Sequence, residues 1–237
     1  MHLTYISIFP EIFESFTETS LIKKACDKGV LAFTVIDPRD FCYDKQKQVD
    51  DEIYGGWAGL LIKAQPIIDA VKLAVQRVSE RSLQEGRERT YRILFVSPAQ
   101  EVFAQNRAHN LSEVDELIFV CGRYEWIDYR FELRAKEVFG EHFLKISLWK
   151  FVTLGGELPA MTMTEAIVRL LPDVIKEEQS RKDESYSTEM DMDNLEYPQY
   201  TRPDEVEGYG VPEVLLSWNH AQIAARRKAH IQHLSDV

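Results

Sequence analysis

Short apolar runs, separated by segments of helical period, set the rhythm of the first two thirds of the chain. The run LTYISIF (3–9) reads as a strand, and Pro10 then opens a helix whose inward positions Ile12, Phe13, Phe16, Leu21, Ile22 and Ala25 keep roughly helical spacing until Gly29. A second strand, VLAFTVI (30–36), follows. Pro66 opens another helix with Ile67, Ile68, Val71, Ala74, Val75 and Val78 inward, and the polar stretch SERSLQEGRER (79–89) then reads as a loop. YRILFV (91–96) and ELIFVC (116–121) are continuous apolar runs with helical sequence between them, the pattern of parallel strands buried on both faces. The fold class is therefore α/β. In such sheets ligands bind beyond the carboxyl ends of the strands, which directs attention to SPAQ (97–100), GRYEW (122–126) and the segment leading to TLGGELPAM (153–161).

From about Leu171 the periodicity stops. An acidic segment containing Met, Asp and Tyr takes over, which reads as a linker or as a loop ordered by a partner, and a small helical tail begins near Tyr197. The expected organisation is an α/β domain over 1–171, a linker over 172–196 and a small helical domain over 197–237. No internal repeat is visible.

The length of 237 residues and 45% apolar content support a packed core. Apolar stretches such as ELIFVC and AIVRLLPDVI (166–175) fall far short of the roughly 18 residues a membrane span needs. The start, MHLTYISIFPEIF, lacks the features of an export signal, so the expected location is the cytoplasm. Cys26, Cys42 and Cys121 make no CxxC pair and read as small buried hydrophobes, and the six His show no HExxH spacing, so no metal site is expected. A net charge of −11 argues at first against a polyanionic partner, yet the segment from Asp173 to Glu207 alone carries −8 of it. Two locally basic segments, 72–92 and the end with Arg226, Arg227 and Lys228, read either as solvated helix faces or as an RNA-binding edge.

Candidate chemistry is sparse. The glycine pairs of YGGWAG (54–59) and LGGELPAM (154–161) match neither GxGxxG nor GxxxxGK[ST], so they read as tight turns or as places of close backbone approach to a ligand. Pro159 can sit in the first turn of a helix running through AMTMTEAIVRLL, where Glu157 answers the helix dipole. Arg169 within that apolar helix reads as a snorkelling side chain or an ion-pair partner. Asp183 and Glu184 lie in the linker as ordinary solvated acids on the residues alone. CGRYEWID (121–128) puts Trp126 where a tight, ligand-facing turn would want its smallest residue.

Taken together and in order, ISIFPEIF, DPRDF, VDDEIYGGWAG, VSPA, CGRYEWID, TLGGELPAMT and YPQYTRP…GYGVPEVLLSWNHAQI resemble the bacterial tRNA (guanine-N(1)-)methyltransferase family of the SPOUT superfamily. The resemblance covers Tyr5 to about Ile223. It implies a domain tied in a deep trefoil knot, an obligate homodimer with a small helical carboxyl-terminal domain, and S-adenosyl-L-methionine-dependent methylation of the guanine immediately 3′ of the anticodon. Periodicity alone gives no knot, since knots are rare enough to be excluded by default. By resemblance the cofactor pocket comprises Phe95, Val96, Ser97 and Pro98; Gly122, Tyr124, Glu125 and Trp126; Leu148, Trp149, Lys150, Phe151, Val152 and Thr153; and Gly155 and Gly156. Arg169 matches the family's catalytic arginine. The general base falls in KDESY, where Glu184 fills the aspartate slot and Asp183 precedes it. A carboxylate suits removal of the guanine ring proton, and a guanidinium suits the charge that then spreads to the carbonyl oxygen. Asp50, Asp51, Tyr54, Gly55 and Gly56 resemble the loop that closes over the target base, and the tail resembles the module that grips the tRNA anticodon stem-loop. Alternatives are a SPOUT enzyme with another RNA target and an RNA-binding relative with impaired catalysis.

The four tryptophans, Trp57, Trp126, Trp149 and Trp218, all stand where the family pattern has glycine, and Lys150 stands where it has aspartate. The four coincidences are expected if the gene uses UGA for glycine and UGA is read here as tryptophan; the rival reading is real substitution in a family member whose cofactor site is filled.

Overall fold

In the computed structural model, residues 1–98, 100–176, 184–187 and 194–233 are described. They fall into two compact units, Met1–Ile175 and Lys176–Val237. The first contains β1 (His2–Ile6), α1 (Glu14–Thr17), α2 (Ser20–Asp27), β2 (Ala32–Ile36), β3 (Asp50–Glu52), β4 (Leu60–Ile62) and α3 (Ala64–Glu85), followed by β5 (Tyr91–Val96), α4 (Gln105–Ser112), β6 (Glu116–Val120), β7 (Trp126–Ile127), α5 (Arg130–Phe139), β8 (Phe143–Ile146) and α6 (Glu157–Val168).

Five of these strands form a parallel sheet in the order β2-β1-β6-β5-β8. The apolar runs are continuous because both faces are covered. Leu94 and Val96 of β5 point to the layer that holds Ile22, Ala108, Met163 and Ile167, whereas Ile93 and Phe95 point to the opposite layer with Ile67, Val71 and Phe131. Successive residues along a strand face opposite sides, so a run buried on both faces has no polar alternation. A second, three-stranded sheet, β3-β4-β7, joins an antiparallel hairpin to the short strand that follows CGRYE.

Two expectations from the sequence are corrected. The segment 79–89 is no loop as a whole, because α3 runs on to Glu85 and ends at Gly86, whose φ of +66° suits a residue without Cβ. Its polar face is paired rather than solvated at random: Gln76 donates to Glu80, Arg89 pairs with Glu85, and Arg81 pairs with the buried Glu116 at the start of β6. The helix expected from Pro10 to Gly29 is broken. A 3-10 turn over Pro10–Phe13 leads into α1, and α2 starts afresh at Ser20, whose φ is +52°. The hydroxyls of Thr17 and Thr19 donate to the carbonyls of Phe13 and Ser15, the local bonding that makes threonine a poor continuation of a helix.

The second unit carries more than helices. Short strands β9 (Asn194–Leu195), β10 (Glu205–Val206) and β11 (Tyr209–Gly210) precede α7 (Glu213–Leu216) and α8 (His220–Ala229), and β12 (Gln232–His233) returns to pair with β9. No described helix is long and apolar enough to cross a membrane.

Candidate active site

Loops leaving the carboxyl ends of β5, β6 and β8 converge on one cleft. Val96, Ser97 and Pro98 come from the first, Gly122 to Trp126 from the second, and Ser147, Leu148, Trp149 and Phe151 to Gly156 from the third, with Pro159 of α6 closing the base. The sequence expectation thus points to residues that the fold brings together, with two differences. Phe95 lies beneath the cleft, 1% exposed, with its ring 5.4 Å from that of Trp126. Lys150 is exposed and outside the lining. Arg123, Ser147, Leu154 and Pro159 also line the cleft, although the resemblance names none of them as a cofactor residue; Arg123, Leu154 and Pro159 stand inside the quoted GRYEW and TLGGELPAM segments.

Backbone geometry explains the glycines that matter here. The Gly156 N–H donates to the Gly122 carbonyl at 2.9 Å, and a Cβ on Gly156 would stand 2.8 Å from Cys121 Cα. Two loops cross at a distance only glycine permits. Tyr124 takes φ of +57°, and its hydroxyl is pushed up from its ordinary pKa, by burial first and then by the carboxylate of Asp50. That contact ties the β6–β7 loop to β3. Gly59, at φ of +101°, packs on the Glu125 side chain so closely that a Cβ there would be 2.4 Å from its Cγ, while Glu125 N–H donates to Leu60 O. Asp50 and Asp51 lie on β3, and Tyr54, Gly55 and Gly56 form the exposed turn beyond it.

Arg169 caps the carboxyl end of α6, its N–H donating to Glu165 O. Glu184 belongs to the second unit, in a turn where the Ser187 N–H donates to its carbonyl and Ser185 Oγ accepts from Glu196 N–H. Asp183 lies outside the described residues. In that unit Tyr197, Tyr200, Arg226, Arg227 and His230 surround a hollow of about 210 Å³, with the Arg227 guanidinium 5.1 Å over the Tyr197 ring. Among the described residues no cluster of His, Cys, Asp or Glu is arranged to hold a metal ion.

The cleft is lined by loop backbone and by the exposed carboxylate of Glu125. Its free volume is about 80 Å³, against the roughly 300–1,000 Å³ of ligand pockets. Trp126 and Trp149 are the largest side chains of its lining. Trp149 is 58% exposed and can swing outward, whereas Trp126 is held against Phe95.

Of the four tryptophans only Trp218 takes a positive φ, +55°, a conformation rare for a bulky side chain and ordinary for glycine. Strain from that source is absent at Trp126, which sits in β7 with extended pairing to Leu61.

Such a cleft, built from three loops beyond the ends of parallel strands, defines an α/β domain of the kind that holds a small ligand at its strand ends. The chain belongs to the family described as tRNA (Guanine-1)-methyltransferase TrmD, whose model matches residues 1–235. It is 41% identical over 229 residues to the tRNA (guanine-N(1)-)-methyltransferase of Staphylococcus carnosus, covering 96% of this chain and 84% of that protein. The enzyme of the same name from Bacillus pumilus is 40% identical over 230 residues, 96% of this chain and 86% of its own length. That from Staphylococcus haemolyticus is 40% identical over 223 residues, 94% and 82%.

Proposed function

We propose that this protein methylates N(1) of the guanine immediately 3′ of the anticodon in tRNA, with S-adenosylmethionine as donor, as a cytoplasmic homodimer. The observation that carries the reading is the convergence of three loops on one cleft in a chain matched to the methyltransferase family almost end to end. A deep trefoil knot in that domain belongs to the same reading and rests on the family match. In this reading residues 1–171 form the knotted cofactor domain, 172–196 the linker and 197–237 the part that grips the anticodon stem-loop, its arginines and tyrosines lining the 210 Å³ hollow.

S-adenosylmethionine, when bound, supplies an electrophilic methyl group. The chain's own residues do the rest. Backbone groups of the 97–98, 122–125 and 148–156 loops hold the donor, Glu125 pairs with its ammonium, and the Asp50–Gly56 hairpin covers the target base. Glu184, or Asp183 beside it, takes the proton from guanine N(1) as the methyl group arrives there. Arg169 stabilises the negative charge that gathers on the guanine carbonyl oxygen.

The test is methylation of a tRNA transcript, with the product mapped by mass spectrometry. A methyl group on N(1) of that guanine is expected, and a transcript with adenosine there should stay unmodified; methylation elsewhere would favour a different RNA target. Glu184→Gln should remove most turnover with cofactor affinity intact, and a larger loss for Asp183→Asn would move the base one residue back. A second reading, an RNA-binding relative with impaired turnover, draws on the crowding of the cleft by Trp126 and Trp149; failure of the folded chain to bind S-adenosylmethionine would favour it.

A further inference from the structure

One buried carboxylate joins segments of the cleft that are far apart in sequence. Glu157, the first residue of α6, has no exposed surface. Its Oε1 accepts from Ser7 Oγ at 2.7 Å and its Oε2 from Arg123 Nε at 2.8 Å. Ser7 Oγ in turn accepts from the Phe9 N–H at 3.0 Å, and the Arg123 guanidinium lies 4.8 Å over the Phe9 ring. A Cβ on Gly155 would stand 2.3 Å from Arg123 Nε and 2.6 Å from Glu157 Oε2, so the 154–156 loop rests on this ion pair.

A carboxylate at a helix start is explained in part by the helix dipole. That account leaves both oxygens free for solvent or for the helix's own N–H groups. Here both are used on side chains from other segments, and removal of Arg123 would leave the buried Glu157 charge without its counter-ion. Glu157 and Ser7 do not line the cleft, whereas Arg123, Gly155 and Gly156 do. The carboxylate therefore fixes lining residues without facing the ligand.

We infer that Glu157 is a positioning residue for the cleft: through Arg123 and Ser7 it sets the spacing between the 122–125 loop and the 154–156 loop, and so sets ligand affinity. The affinity part rests on the reading of the cleft as an S-adenosylmethionine site; the spacing part does not.

The experiment compares the full chain with Glu157→Gln, Glu157→Asp and Ser7→Ala by amide hydrogen exchange without ligand, by calorimetric titration of S-adenosylmethionine and by steady-state kinetics. Glu157→Gln keeps the shape but turns an amide toward Arg123. Its Gly156 amide should exchange about tenfold faster while the central amides of β5 and β6 are unchanged, and affinity should fall about tenfold. The cofactor KM should rise with kcat at saturation nearly preserved. Glu157→Asp, which keeps the charge, should recover part of the loss, and Ser7→Ala, which removes one bond, should show a smaller effect and carries the test if Glu157→Gln does not fold. Unchanged Gly156 exchange in a folded Glu157→Gln variant overturns the inference, and so does equal acceleration across the whole sheet, which marks a role in general stability only. If neither the unaltered chain nor its Trp126→Gly, Trp149→Gly form binds S-adenosylmethionine, the reading of the cleft fails, and exchange at Gly156 still decides whether Glu157 holds the loops.

Discussion

Single residues carry the tension between this chain and its family. Trp218 holds a backbone conformation natural to glycine, and Trp126 and Trp149 line a cleft of only about 80 Å³. Both facts have one explanation if the source cell inserts glycine at all four tryptophan codons. Peptide mass spectrometry of protein from that cell should then show glycine at 57, 126, 149 and 218; a tryptophan mass at any of them defeats the idea. The steric half is separable. A recombinant chain with Trp126→Gly and Trp149→Gly should bind S-adenosylmethionine at least about tenfold more tightly than the chain as written, because removing two indoles returns the volume that pockets of this kind need. Equal affinity in calorimetry would show that neither indole occupies the volume the ligand needs. Much of the site was legible in the sequence because its loops carry quotable motifs. Arg123 was not read as functional because its importance lies in a bond to Glu157, 34 positions away, which no local pattern displays.

At the scale of elements, legibility followed burial. The strands β5 and β6 are plain because both faces are covered and their central positions are apolar, whereas the last turns of α3 are polar and held by the Arg81–Glu116 ion pair with β6, which periodicity does not record. The break between α1 and α2 is hidden for the opposite reason: the apolar spacing continues across it, and the break shows in the φ of Ser20 and in the Thr17 and Thr19 hydroxyl bonds. The hairpin β3–β4 was invisible as an element, since three-residue strands leave too little pattern. Its place beside β7 has a consequence. Gly59 lies against Glu125, so a side chain there must push on the 122–125 loop, and at φ of +101° the backbone itself resists any L residue. Gly59→Ala should weaken S-adenosylmethionine binding about tenfold with loss of stability of only about 1–2 kcal/mol. Gly55→Ala, in the same hairpin and also at positive φ but with open space around the added Cβ, should share the backbone cost and spare the affinity. Equal effects on affinity would break the proposed link between hairpin and cleft.

For the whole molecule, acid sensitivity follows from how charge is buried at the amino-terminal edge of the sheet. His2 opens β1, and its Nε2 lies 2.8 Å from Thr34 Oγ1. Burial first, and Arg81 next, push its pKa from 6.5 down to about 4, with Arg89 and the Met1 amine acting in the same direction and Glu116 opposing them. The fold thus favours the neutral ring, while the unfolded chain takes up a proton below its own pKa of about 6.5. Stability contributed this way is complete above that value and is lost as pH falls toward 4, where the folded ring also protonates. One pKa unit is about 1.4 kcal/mol, so with the ring only partly shielded the loss is about 2 kcal/mol. The Met1 amine, lowered by burial and Arg89, adds to the slope nearer its ordinary range. Asp115 and Asp128, held down chiefly by hydrogen bonds from Arg87 and Arg130, lose their contributions only in stronger acid, below the usual carboxylate range. The three effects therefore separate by pH. Urea unfolding of the full chain should show stability rising by about 2 kcal/mol between pH 4.5 and 7, and His2→Gln should flatten that rise while leaving the steeper acid loss in place. If the variant keeps the full rise, the proton taken up on unfolding belongs to a group other than His2.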